Sequence, residues 1–360
     1  MVRSSPPIIL IRCDGSRAIG FGHVVRCIAL ADELRAVHDC RVVFLMRHGP
    51  EGVEMARAAG YSVLTPADEI EVQQAGWPES LIHRTQPDMV VFDIRDDFPR
   101  RAMDSLREQG TCVAVIDDIS ERCFSADLAF FPPVPQVERL DWSGFSGQRF
   151  VGWEWVLVRR DIQTLRNLPK SRGERIRVLV TMGGSDPYGF TCKALRACQR
   201  VRQDIALVVA LGPGFADRQE LEELVKQSHV PIDILSNVRD LPALMQESDF
   251  IVGAFGNTAY EAAALGRFGV YLCGTPDHAE SASPYARAGF GVSLGLGSEV
   301  SEEQLARAIE QYASSSSMGG SDPRRGHRAA FDGLGATRIA EKLVQTIRER
   351  RGIQQAVAAP

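Results

Sequence analysis

The chain has 360 residues and a formal net charge of −5 at pH 7, with no basic block of the kind that tracks a phosphate backbone, which sets nucleic acid aside as a partner. No apolar run approaches the roughly 20 residues that a membrane span needs, and the short apolar stretch in "MVRSSPPIIL" lacks the length and cleavage site of a signal peptide. Eight cysteines, at positions 13, 27, 40, 112, 123, 192, 198 and 273, form no C-x-x-C pair and fit reduced core thiols in a cytoplasmic protein.

The first half alternates strand and helix patterns. "IILIRC" is a β-branched run, and "HVVRCIALADELRAV" carries apolar residues at helical spacing. "RVVFLM", "DMVVFD" and "CVAVIDD" read as further strands, with helices predicted in "GVEMARAAG" and "PRRAMDSLREQG". Short runs that are apolar on both faces, separated by amphipathic helices, predict a parallel sheet covered on both sides. From about Asp141 to Arg175 the rhythm breaks in Gly, Ser, Pro and charge. It restarts with "RIRVLVTMGG", the helix "PYGFTCKALRACQRV", and strands in "DIALVVALG", "PIDILS", "DFIVGAFG" and "GVYLCG". "ASSSSMGGSDPRRGH" reads as a polar loop and "GATRIAEKLVQTIRERR" as a closing helix. The expected organisation is α/β, with two Rossmann-like domains facing across a cleft. Residues 1–150 form the amino-terminal domain and 151–174 an interdomain strand and linker. Residues 175–335 form the nucleotide-binding domain and 336–360 a helix and tail. Ligands in such sheets sit beyond the carboxyl ends of the strands.

Three strand-to-helix junctions carry glycines: "GFGH" (Gly20 to His23), "GGSDP" (Gly183 to Pro187) and "GAFGNTAYE", where Gly256, Asn257 and Thr258 precede a helix bearing Glu261. Glycine lets a ligand approach the backbone, and a helix N-terminus adds free N–H groups and partial positive charge; together these favour a phosphate. In the second junction Pro187 suits the first turn of a helix, with Ser185 or Asp186 as its cap. A dinucleotide fingerprint is not met, because Val25 or Arg26 stands where the third glycine is needed and "FLMRHG" ends without an acidic residue. No cofactor is therefore expected.

His23 lies at the mouth of a glycine loop, and an imidazole there suits a general base at neutral pH. The carboxylates of "DIRDD" (Asp93, Asp96, Asp97) and "IDD" (Asp117, Asp118) are of a type that holds Mg²⁺, but acidic residues at strand ends and helix caps explain them without a metal, and none is expected.

The stretch "RCDGSRAIGFGHVVRCIALADELR" resembles the R-x-D-x-S-x-x-I-G-x-G-H-x-x-R-C opening of the UDP-sugar hydrolases of pseudaminic acid biosynthesis, a family shared with spore-coat polysaccharide proteins. Arg12, Asp14, Ser16, Ile19, Gly20, Gly22, His23, Arg26 and Cys27 match it, and "VIDDISER", "VLVTMGGSDP", "GNTAYEAAALG" and "FDGLGATRIAEKL" follow in the family's order. The resemblance implies a GT-B-like fold and hydrolysis of a UDP-linked amino-deoxy sugar, such as UDP-2,4-diacetamido-2,4,6-trideoxy-β-L-altropyranose, by inversion and without metal. It casts His23 as the base that activates water. Gly183, Gly184, Ser185, Gly256, Asn257, Thr258 and Glu261 would surround the UDP, and Arg159 would face the diphosphate. Two departures stand out. Asp93 is followed by Ile94 and Arg95 where the family often has tyrosine, and Asp277 and His278 hold the places of an Asn-Gln pair that touches sugar. A glycosyltransferase that deprotonates an acceptor hydroxyl, or a nucleotide-sugar binding protein without catalysis, are the alternatives.

Overall fold

The computed structural model describes residues 5–358 apart from 48, 67–76, 97, 169–172, 237, 239 and 318–330. Strands β1 (Ile8–Cys13), β2 (Arg41–Leu45), β3 (Ser62–Leu64), β4 (Met89–Asp93), β5 (Cys112–Ile116), β6 (Leu128–Phe131) and β7 (Gln148–Val151) form one sheet, in the order β3-β2-β1-β4-β5-β6-β7. A second sheet contains β8 (Ile176–Thr181), β9 (Ile205–Leu211), β10 (Ile232–Ser236), β11 (Phe250–Ala254), β12 (Gly269–Cys273) and β13 (Val292–Leu296), in the order β10-β9-β8-β11-β12-β13. Every pairing is parallel. Both are therefore doubly wound sheets, and the strand order reverses at β1/β4 in the first and β8/β11 in the second.

Alternation along β1 shows why the runs are apolar on both sides. Ile9 and Ile11 pack into one layer with Leu30, Leu34 and the carboxyl-terminal helix residues Ile339, Leu343 and Ile347. Leu10, between them, packs into the opposite layer with Leu81, Met103 and Leu106. All five residues of β4, β5 and β12 are buried, as expected for central strands covered by helices.

The chain separates into two compact units: Met1–Ser16, His23–Arg160 and Leu334–Pro360 form the first, and Arg17–Gly22 with Asp161–Gly333 form the second. The closing helix (Gly335–Ala358) thus belongs to the first unit, where Arg351 pairs with Asp88 at 2.7 Å and Arg350 with Asp127 at 3.1 Å. Strands β3, β6, β7 and β13 went unread in the sequence. Within the segment where the alternation breaks, Trp153–Trp155 form a 3-10 turn and residues 156–159 run without regular structure. Val156, Leu157 and Val158 are nonetheless buried. The serine run after Ala313 continues the helix Glu302–Ser317, and the rest of that expected loop lies outside the described residues. All eight cysteines are buried and free. Among the described residues, no helix is long and apolar enough to cross a membrane.

Candidate active site

In the first unit the register sets Cys13, the last residue of β1, beside Asp93, the last residue of β4. This is the switch point, where doubly wound sheets bind ligands. The helix Gly22–His38 starts there, and His23 stands in its first turn. Its Nδ1 lies 2.7 Å from Asp93 Oδ1. A carboxylate only accepts, so Nδ1 carries a proton, and in the neutral imidazole Nε2 then keeps its lone pair. Nε2 makes no hydrogen bond among the described residues, and the side chain is 19% exposed.

Arg26 and Cys27, one helical turn after His23, reach the same carboxylate. Arg26 donates from Nε to Asp93 Oδ2 at 2.6 Å and from Nη2 to Oδ1 at 2.5 Å, and Cys27 Sγ donates to Oδ2 at 3.3 Å. Burial by itself would raise the Asp93 carboxyl, but the Arg26 charge, and after it the contact with His23, hold it well below the usual carboxylate range. Burial likewise opposes the Arg26 cation, and Asp93 and Asp117 more than offset it. Burial pushes the Cys27 thiol up, so this sulfur is a neutral donor. Asp117, after β5, accepts from Arg26 Nη1 at 3.2 Å and from Arg95 Nη2 at 3.0 Å, and its carbonyl accepts from Arg95 Nη1.

A second ion-pair group braces the same strand ends. The fully buried Arg12 donates to Asp14 and Asp96, each at 2.7 Å, and Asp96 also pairs with Arg47 at 3.3 Å and Arg122 at 3.5 Å. Arg122 holds Asp118 at 2.5 Å. The carboxylates read from sequence as strand-end or capping groups are thus ion-paired, while Asp97 lies outside the described residues. Among the described residues, no group of three or more His, Cys, Asp or Glu could hold a metal ion.

In the second unit the turns after β8 and β11 are neighbours, because those strands pair in register. Gly183 takes φ +78°, a left-handed conformation that a side chain resists. Gly189 stands at the N-cap of the following helix, and the Asp186 carboxylate, not Ser185, satisfies its first N–H groups, accepting from Phe190 N and Thr191 N at 2.8 Å each. The helix spans Phe190–Cys198, so Pro187 lies ahead of it rather than in its first turn. Ser185 is left with a buried Oγ that has no hydrogen-bond partner, and Asn257 Oδ1 across the switch point is in the same state. Buried polar atoms are nearly always satisfied, so two orphans on adjacent turns mark a place that a ligand or water completes.

Asn257 and Thr258 start the helix Asn257–Ala264 instead of preceding it; Gly256 stands just before, and Glu261 is buried on the same helix. The loop Arg17–Gly22 belongs to this unit although its chain neighbours on both sides belong to the other. Gly20 has φ +78°. A Cβ on Gly184 would overlap the Phe21 ring, and a Cβ on Gly22 would stand 3.9 Å from Asn257 Cβ. Gly20, Gly22, Gly183, Gly184, Ser185, Gly256, Asn257 and Thr258 are therefore gathered at one end of the second sheet. Asp277 and His278 are exposed in the first turn of the helix Pro276–Arg287, after β12, where Thr275 Oγ1 accepts from His278 N at 3.1 Å. Arg159 is half-buried in the first unit, ahead of its boundary at Arg160.

Asp93, as the partner of His23, went unread. The signal was present in principle: in a 3-2-1-4 strand order the ends of the first and fourth strands are adjacent, and Asp93 ends the fourth.

No protein-family model matches the chain. It is 26% identical over 270 residues to an uncharacterized protein of Methanocaldococcus jannaschii, which covers 72% of this chain but only 54% of that protein, about half its length. It is 22% identical over 341 residues to the spore coat polysaccharide biosynthesis protein SpsG of Bacillus subtilis, covering 92% of this chain and 96% of that one. Among solved structures, MurG of Acinetobacter baumannii superposes with a TM-score of 0.65 at 14% identity, over 95% of this chain and 100% of that chain. The UDP-GlcNAc 2-epimerase of Neisseria meningitidis bound to UDP-GlcNAc superposes with a TM-score of 0.58 at 14% identity, over 94% of this chain and 100% of that chain. At such identities the likeness shows the fold: two parallel-sheet Rossmann-like domains, as in GT-B glycosyltransferases and epimerases.

Proposed function

We propose that the chain hydrolyses a UDP-linked amino-deoxy sugar, releasing UDP and the free sugar for pseudaminic or a related nonulosonic acid pathway. One observation carries the reading: the Asp93–His23 hydrogen bond fixes the tautomer whose Nε2 accepts a proton. In the proposed reaction a water oxygen bonds to the anomeric carbon as His23 Nε2 takes its proton. The bond from that carbon to the β-phosphate oxygen breaks, and UDP departs with the electron pair. Displacement from the face opposite the leaving group inverts the anomeric centre.

The second unit is proposed to hold the nucleotide. Backbone N–H groups around Gly183, Gly184 and the helix start at Gly256–Thr258 meet the diphosphate, as helix N-termini favour anions. The orphaned Ser185 Oγ and Asn257 Oδ1 find partners on the ligand. Glu261 is assigned to the ribose hydroxyls and Arg159 to the leaving phosphate. Guanidinium groups engage Asp93, Asp96, Asp117 and Asp118, which supports a metal-free reaction.

The same His23 geometry also suits removal of a proton from an acceptor hydroxyl, and the fold is shared with glycosyltransferases. A panel of UDP-linked and other nucleotide-linked sugars, offered without acceptor and with EDTA, separates the readings by chromatography of released nucleotide. Release from a UDP-sugar supports the hydrolase. Release only on adding an acceptor establishes the transferase, and none under either condition leaves a binding protein.

A further inference from the structure

Tyr188 is 49% exposed, the sole aromatic residue among the exposed large hydrophobics of the described residues. It is nevertheless held firmly. Its ring stacks on the buried Phe190, with centroids 5.4 Å apart and planes at 23°. The edge of the ring lies against Gly274, just past β12, where a Cβ would overlap it, and Phe190 in turn lies against Gly297, where a Cβ would do the same. Two missing side chains thus make room for a two-ring stack whose outer member faces solvent. The Tyr188 hydroxyl makes no hydrogen bond among the described residues.

Its surroundings narrow what it meets. Tyr188 follows the Gly183–Asp186 turn after Pro187 and reaches over the end of β12, the neighbour of β11 on the side away from β8. The orphaned oxygens lie on the turns after β8 and β11, so the ring at the end of β12 stands to one side of them, one strand from the turn of Asn257 and two from that of Ser185. Gly274 leads into the helix that exposes Asp277 and His278 in its first turn. A fixed aromatic face beside a carboxylate and an imidazole matches a pyranose, which has one face of C–H groups and a rim of hydroxyls and amides.

We propose that Tyr188 is a specificity-determining residue whose ring packs on the apolar face of the glycosyl group, with Asp277 and His278 meeting its polar rim. This rests on the reading of the second unit as a nucleotide-sugar site. Calorimetric titration of wild type, Tyr188→Ala and Tyr188→Phe with UDP and with UDP-N-acetylglucosamine tests it. Tyr188→Ala is expected to weaken UDP-N-acetylglucosamine binding about 3- to 10-fold, the value of an aromatic packing partner. UDP affinity should stay within about twofold, and Tyr188→Phe should keep both affinities, because the ring face does the packing. An equal loss for both ligands would assign the ring to the base, and no loss for either would remove it from the site; each overturns the proposal. A wild-type protein that binds neither ligand refutes the nucleotide-sugar reading itself. The melting temperature should be unchanged in Tyr188→Phe and fall by only a few degrees in Tyr188→Ala, which loses the stack on Phe190.

Discussion

Replacing Asp93 by asparagine keeps the shape of the side chain and removes its charge. The carboxylate now receives His23 Nδ1 at 2.7 Å and two donors of Arg26 at 2.6 and 2.5 Å, while fully buried. Asparagine offers one oxygen and one NH2 group to that arrangement. If the oxygen meets Arg26 Nε, the NH2 group faces His23 Nδ1, which must then accept, and the imidazole proton moves to Nε2. If the oxygen meets His23, an Arg26 donor faces the NH2 group. The first arrangement disables the base, and either one sets an NH2 group against a donor of Arg26 and leaves a buried cation poorly paired. Breaking a buried ion pair costs about 3–5 kcal/mol, and the surviving Arg26–Asp117 contact at 3.2 Å points to the lower end, ~3 kcal/mol. That corresponds to a fall in melting temperature of roughly 6–12 °C for units of this size. Turnover should fall about 10²- to 10⁴-fold, the range of general-base catalysis. The Asp93 carboxyl sits below its ordinary 3.8, so its stabilisation is fully present above about pH 4 and is lost only as pH falls further. The stability gap between wild type and Asp93→Asn, measured by denaturant titration, should therefore be constant from pH 8 to about pH 5 and narrow only in acid. Equal turnover and equal stability in the variant would refute the assigned role of the carboxylate. A gap that narrows between pH 8 and pH 6 would refute its charge state.

His23→Ala should lower turnover by about 10²- to 10⁴-fold and leave UDP affinity within about twofold, as steady-state assay and calorimetry would show. Ser185→Ala and Asn257→Ala should each weaken UDP binding by about 3- to 10-fold, the worth of one hydrogen bond. Neither should lower the melting temperature, because the oxygens they remove have no partner in the free protein. Gly184→Ala forces a Cβ into the Phe21 ring, which should cost about 1–3 kcal/mol in a denaturant titration. It should also reduce turnover, because Phe21 lies two residues before His23.

The apolar runs "IILIRC", "DMVVFD", "CVAVIDD" and "RIRVLVTMGG" disclosed β1, β4, β5 and β8 because central strands covered on both faces are apolar through their middles, with charge only near their ends, at Arg12, Asp93 and Arg177. β3 has three residues and β7 four, the latter with Gln148 and Arg149 exposed, too short and too polar to stand out from loops. The glycine junctions and His23 were legible because they are local. Asp93 lies 70 residues from its histidine, so its role depended on strand order rather than on any pattern along the chain. The first N–H groups of the helix after β8 went to Asp186 rather than Ser185 because a carboxylate reaches two of them at once. That choice leaves the serine hydroxyl available to a ligand.

Turnover in water enriched in oxygen-18, followed by mass spectrometry of both products, addresses the chemistry itself. If His23 readies water for attack on the anomeric carbon, the label appears in the free sugar and not in UDP. Label in the β-phosphate, or turnover that waits for an added acceptor, would contradict it.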